Sequence, residues 1–60
     1  MEQIGPMDRV QIIQANPGEE NFLNMVGRVI MIVDEDQYLV AFENGSRVTF
    51  GLEQLKKAQQ

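Results

Sequence analysis

The sequence predicts an all-β, antiparallel fold in a single small domain, and three observations carry that expectation. Runs rich in valine, isoleucine and phenylalanine occupy residues 9–14, 28–33, 37–42 and 47–50. Turn-forming groups bound them: Gly5-Pro6, Asn16-Pro17-Gly18, Gly27, Asp34-Glu35-Asp36 and Asn44-Gly45. Short runs of β-branched and aromatic residues between such groups read as strands. Most intervals are too short for a crossover helix, which takes a dozen or more residues, so neighbouring strands must pair antiparallel.

Taken in order, the first strand spans residues 9–14. The connection over 15–26 is long and polar and carries Phe22, so it reads as a surface excursion pinned by one aromatic. Gly27 marks a sharp lead-in to the second strand, which is apolar on both of its phases. Val29, Met31 and Val33 fall on one face of a regular strand, and Ile30 and Ile32 on the other. Asp34-Glu35-Asp36 forms a charged, solvated hairpin turn. It lacks the twelve-residue ligand series and central glycine of a calcium loop.

The next hairpin fixes its own register. A two-residue Asn44-Gly45 loop would put Val48 and Phe50 on the opposite face from Val40 and Phe42. A three-residue Glu43-Asn44-Gly45 loop, with Gly45 in the left-handed region, pairs Val40 with Val48 instead. Tyr38, Val40, Phe42, Val48 and Phe50 then share one face, so the three-residue loop is expected. Residues 52–55 look helical, but their length and Gly51 limit them to about one turn, of 3₁₀ type. The expected core is Val10, Ile12, Phe22, Val29, Met31, Val33, Tyr38, Val40, Phe42, Val48, Phe50, Leu52 and Leu55.

Composition excludes most chemistry. A chain of 60 residues buries only about 60% of the surface its unfolded form exposes, which leaves no room for a deep substrate cavity. It has no cysteine and no histidine, so it lacks a thiol nucleophile, a thiolate zinc site and the usual proton shuttle. One serine, Ser46, and one threonine, Thr49, complete an inventory from which no Ser-His-Asp triad can be built. The expectation is a chain that is not an enzyme, with no catalytic or metal-binding residue and no cofactor. Nine acids against five bases give a net charge of −4, which opposes a polyanionic partner. The longest apolar stretch, residues 29–33, is far short of the ~20 residues a membrane span needs. Residues 1–5 do not resemble a secretory signal. A cytoplasmic location is therefore expected, and Met1 suggests a complete small protein.

The layout resembles a known family. Asp8-Arg9-Val10-Gln11-Ile12, a loop, Phe22, Gly27-Arg28-Val29 and Val33-Asp34 are similar to the KOW motif region of SH3-like barrels. Val40-Ala41-Phe42, Gly45, Val48-Thr49-Phe50 and Leu55-Lys56-Lys57 continue the likeness across nearly the whole chain. The pattern resembles the KOW module of NusG-type transcription factors, the Tudor-like tails of bacterial helicases and small SH3-like subunits of photosynthetic complexes. The resemblance implies a five-stranded antiparallel SH3-like barrel with a one-turn 3₁₀ helix near the C-terminus. It covers residues 1–60 as one domain, with 1–7 and 57–60 as loose tails. Its loop departs from RNA-binding relatives in carrying Glu19-Glu20, and without tryptophan it lacks the aromatic groove of polyproline binders.

The function expected is a protein-interaction module, an accessory or regulatory subunit docking on a larger complex. The second apolar phase needs a cover, so a partner protein or self-association is expected on Ile30, Ile32 and Leu39, with Arg28 and Arg47 as rim charges. The alternative is a KOW-like nucleic-acid or ribosome- and transcription-associated module. It predicts a positive strip of Arg9, Arg28, Arg47, Lys56 and Lys57 with the acids on the other side.

Overall fold

The computed structural model describes residues 4–58. Five strands appear in chain order: β1 (Arg9–Ile12), β2 (Val26–Asp34), β3 (Gln37–Ala41), β4 (Arg47–Gly51) and β5 (Leu55–Lys57). A 3₁₀ turn at Glu20–Phe22 interrupts the β1–β2 connection, and another at Leu52–Gln54 joins β4 to β5. All pairings are antiparallel, in one sheet of order β4-β3-β2-β1-β5. The two edge strands, β4 and β5, do not pair with each other, so the sheet is not closed by hydrogen bonds.

The core forms on one face of this sheet. Val10, Ile12, Val29, Val40 and Phe50 are fully buried, with Ile4, Tyr38, Phe42 and Leu55 nearly so. Phe22, from the long connection, stacks on Phe42 at 5.0 Å between centroids and meets the edge of Phe50 at 6.4 Å. Phe42 and Phe50 are themselves edge to face at 6.3 Å. Such aromatic contacts add about 0.5–1.5 kcal/mol each beyond the area they bury. The long connection is thus pinned by its aromatic as expected.

The β3–β4 hairpin takes the three-residue loop. Phe42 N–H donates to Ser46 O at 2.9 Å, Val40 faces Val48, and Gly45 has φ of +91°. Ser46 N–H also donates to Asn44 Oδ1 at 2.9 Å, a side-chain bond that helps to hold the loop. The second 3₁₀ turn is closed by Gln54, whose Oε1 accepts Gly51 N–H at 2.8 Å.

Three expectations need correcting. Met31 and Val33 are each 55% exposed and Leu52 is 40% exposed, so none belongs to the core. Met25 packs against that core, and Ile4 joins it. Gly27 is not a lead-in but an internal β2 residue, buried opposite Val10. The tails expected over 1–7 and 57–60 are described over residues 4–7 and 57–58, where Pro6 and Met7 are exposed. Ile4 is buried, Met7 N–H donates to Val29 O at 2.6 Å, and Ala58 N–H donates to Arg9 O at 2.8 Å. Residues 1–3 and 59–60 lie outside the described residues.

Candidate functional site

The double apolar phase of β2 resolves through its register with β3. Arg28 faces Ala41 and Val29 faces Val40, but Met31 then faces Leu39, Ile32 faces Tyr38, and Asp34 faces Gln37. Two irregularities, between Val29 and Met31 and between Ile32 and Asp34, each insert one extra residue into β2. Ile30 and Val33 occupy those extra positions. Each insertion reverses the alternation of side chains along β2.

The faces follow directly. Gln37, Leu39 and Ala41 alternate with the buried Tyr38 and Val40, so they lie on the outer face of the sheet. Arg28, Met31 and Asp34, their partners across the ladder, lie on that face too. Val29 and Ile32 point to the core side. Ile32 is nevertheless 44% exposed, because β1 pairs with β2 only through Val26, Gly27 and Arg28 and leaves the distal half of β2 uncovered on that flank.

A second pattern runs across the strands. Arg9 faces Arg28, Arg28 faces Ala41, and Ala41 faces Arg47, which places three arginines in one row over four strands. Lys56 faces Gln11 on the same side of the neighbouring row. Like charges directly opposite each other across a ladder destabilise a sheet. Among the described residues, no carboxylate lies within ion-pair distance of Arg9, Arg28, Arg47 or Lys56. Lys57 differs: it pairs with Asp8 at 3.6 Å, beside Val10 and on the other face. A shallow depression of about 390 Å³ beside the row is lined by Arg9, Arg28 and Glu43, among others.

Three further acids are engaged locally. Asp34 Oδ1 accepts Glu35 N–H at 2.8 Å at the hairpin tip. Glu19 Oε1 accepts Asn16 Nδ2–H at 3.0 Å, and Glu20 Oε1 accepts Gly18 N–H at 3.1 Å, so Glu19 and Glu20 organise their own loop. Among the described residues, no group of three or more acidic side chains is placed to hold a metal ion.

Of the five residues expected at a docking surface, Arg28, Leu39 and Arg47 come together on the outer face. Ile30 sits at the first bulge, and Ile32 turns to the core side. Met31 takes a place on the outer face that a regular two-residue repeat from Arg28 would not give it, and Asp34, which that repeat does reach, lies there too. The signal available was the double apolar phase itself, since a strand that is apolar throughout and paired to an alternating one invites a bulge. In comparison with known proteins, no family model, no curated protein and no solved structure matches the chain.

Proposed function

We propose that this chain is a non-catalytic protein-interaction module, a cytoplasmic accessory or regulatory subunit that docks on a larger complex through the outer face of β2, β3 and β4. The observation that supports this reading most is the uncovered apolar run of β2. Ile30, Met31, Ile32 and Val33 are 40%, 55%, 44% and 55% exposed in a chain with few large side chains to spare. Leu39 extends the patch on the outer face, and Arg28 and Arg47 border it. An apolar centre with a charged margin is the usual anatomy of a protein interface.

The fold that fits this reading is an SH3-like barrel of KOW type. The strand order β4-β3-β2-β1-β5 and the 3₁₀ turn between β4 and β5 support it. Affinity capture from native lysate, comparing wild type with Met31→Asp, tests the docking reading. Loss of captured subunits from a folded variant supports it, and an unchanged set removes the surface from consideration.

One observation favours a second reading, a KOW-like nucleic-acid or ribosome- and transcription-associated module. The row Arg9, Arg28 and Arg47 carries three cations with no carboxylate within ion-pair distance among the described residues. Binding to a labelled oligonucleotide at low salt that weakens steeply as salt rises would support it. Absence of binding at the lowest salt removes it.

A further inference from the structure

The outer face of β2 carries a cation, an apolar side chain and an anion in sequence: Arg28, Met31 and Asp34. The two bulges create this spacing. Each three-residue step along β2 matches a two-residue step along β3, from Ala41 to Leu39 to Gln37. At about 3.3 Å per residue along β3, Arg28 and Asp34 stand roughly 13 Å apart with Met31 midway. A pattern of plus, apolar, minus is self-complementary when one copy is rotated by half a turn about its centre.

We propose that the outer face of β2, β3 and β4 packs against the same face of a second copy of this chain. The two-fold axis passes between the faces at Met31 and Leu39, perpendicular to the strands. It rests on the reading of this face as a protein-docking surface and names the protein that docks there. The operation stacks Met31 on Met31 and Leu39 on Leu39. It sets Arg28 of each copy against Asp34 of the other, the isologous arrangement of a closed dimer. Arg47 then lies over Gly51 of the second copy, next to Asp36, whose carbonyl accepts Leu52 N–H at 2.9 Å. Arg28 and Arg47 thereby gain nearby carboxylates, where among the described residues of their own chain none lies within ion-pair distance.

Face packing is favoured over addition of a strand to the free flank of β2. Bulges interrupt the ladder and twist an edge away from a regular neighbour, which is how sheets discourage edge pairing. A nucleic acid fits the face less well, because Asp34 and the acidic tip beside it would meet the phosphates. The face is about 17 Å long and three strands, or about 14 Å, wide. That footprint is small beside the ~800 Å² per partner of a stable complex, so the dimer is reversible and salt-sensitive.

Sedimentation velocity on the full chain tests this, over about 10 μM to 1 mM and at low and high salt. The expected result is a monomer–dimer equilibrium that salt weakens. Arg28→Asp and Asp34→Arg should each weaken it by about tenfold or more, and the double swap should restore it. Asp34→Asn, which keeps an oxygen for Glu35 N–H, should weaken it without disturbing the turn. A wild-type chain that stays monomeric throughout overturns the dimer. So does a double swap no better than either single variant, or a Met31→Asp variant that dimerises like wild type. If the chain is monomeric yet Met31→Asp still loses a captured complex, the dimer fails and the docking surface stands. If neither changes, both fail. Retention of an oligonucleotide by the monomer would assign the arginine row to nucleic acid instead.

Discussion

Gly27 sits where three neighbours leave no space for a side chain. A Cβ there would lie 2.6 Å from Val40 Cγ1, 2.8 Å from Ala41 O and 3.0 Å from Phe42 Cδ1. The carbonyl belongs to the β2–β3 ladder and cannot retreat without breaking it, so the strain has no inexpensive outlet. Gly27→Ala should therefore destabilise the fold by about 2 kcal/mol or more, read as a fall in the urea midpoint. Gln54 acts through hydrogen bonds instead. Its Oε1 accepts Gly51 N–H, and its Nε2–H₂ donates to Gln14 O at 3.0 Å and Asn16 Oδ1 at 3.1 Å. One side chain thus ties the β4–β5 turn to the β1–β2 connection. These bonds are partly wet, so Gln54→Ala should cost about 1 kcal/mol, with exchange of the Gly51 amide accelerated.

Among the elements, β2 shows how a local insertion changes what a strand presents. Ile30 is the extra residue between Val29 opposite Val40 and Met31 opposite Leu39. Deleting Ile30 should leave both of those pairings intact and remove the first irregularity, while the one at Val33 remains. Cross-strand Hα–Hα contacts between Met31 and Leu39 in the deletion variant check this, and their replacement by an Ile32–Leu39 contact would contradict it. The β3–β4 hairpin offers a purely backbone test. A Cβ on Gly45 would meet nothing, yet φ of +91° is left-handed. Gly45→Ala should cost about 1–2 kcal/mol through strain alone, with the Val40–Val48 pairing preserved.

At the scale of the whole molecule, stability draws on residues outside the strands. Ile4 is 7% exposed and packs in the same cluster as Phe50 and Leu55. In so small a core its loss is felt throughout: Ile4→Ala should cost about 2–4 kcal/mol in a urea titration. The Asp8–Lys57 pair is a partly exposed contact at 3.6 Å joining the start of β1 to β5, and it contributes little beside that cluster. Charge is unevenly placed at this scale as well, although Asp34 shares the outer face with the cations. Arg9, Arg28, Arg47 and Lys56 lie on the outer face of the sheet, while Asp34, Glu35 and Asp36 mark one hairpin tip. The net charge of −4 does not reveal that division.

Much of the fold was legible in the chain because its information is local. Gly45, with Val40, Phe42, Val48 and Phe50, determined the β3–β4 register, since only one loop length puts those side chains on one face. The turn groups and the intervals between runs determined antiparallel pairing, and Phe22 marked where the long connection returns to the core. The face presented by β2 was decided only in three dimensions. Ile30 and Val33 look like ordinary strand residues, and whether they bulge depends on where Val40, Leu39 and Tyr38 hold the opposite ladder. That choice takes Met31 and Val33 out of the expected core and separates Ile32 from Leu39. It brings Met31 into one line with Arg28 and Asp34. The alignment of Arg9, Arg28 and Arg47 was equally invisible, because adjacency across a sheet is set by register between distant segments and not by spacing along the chain.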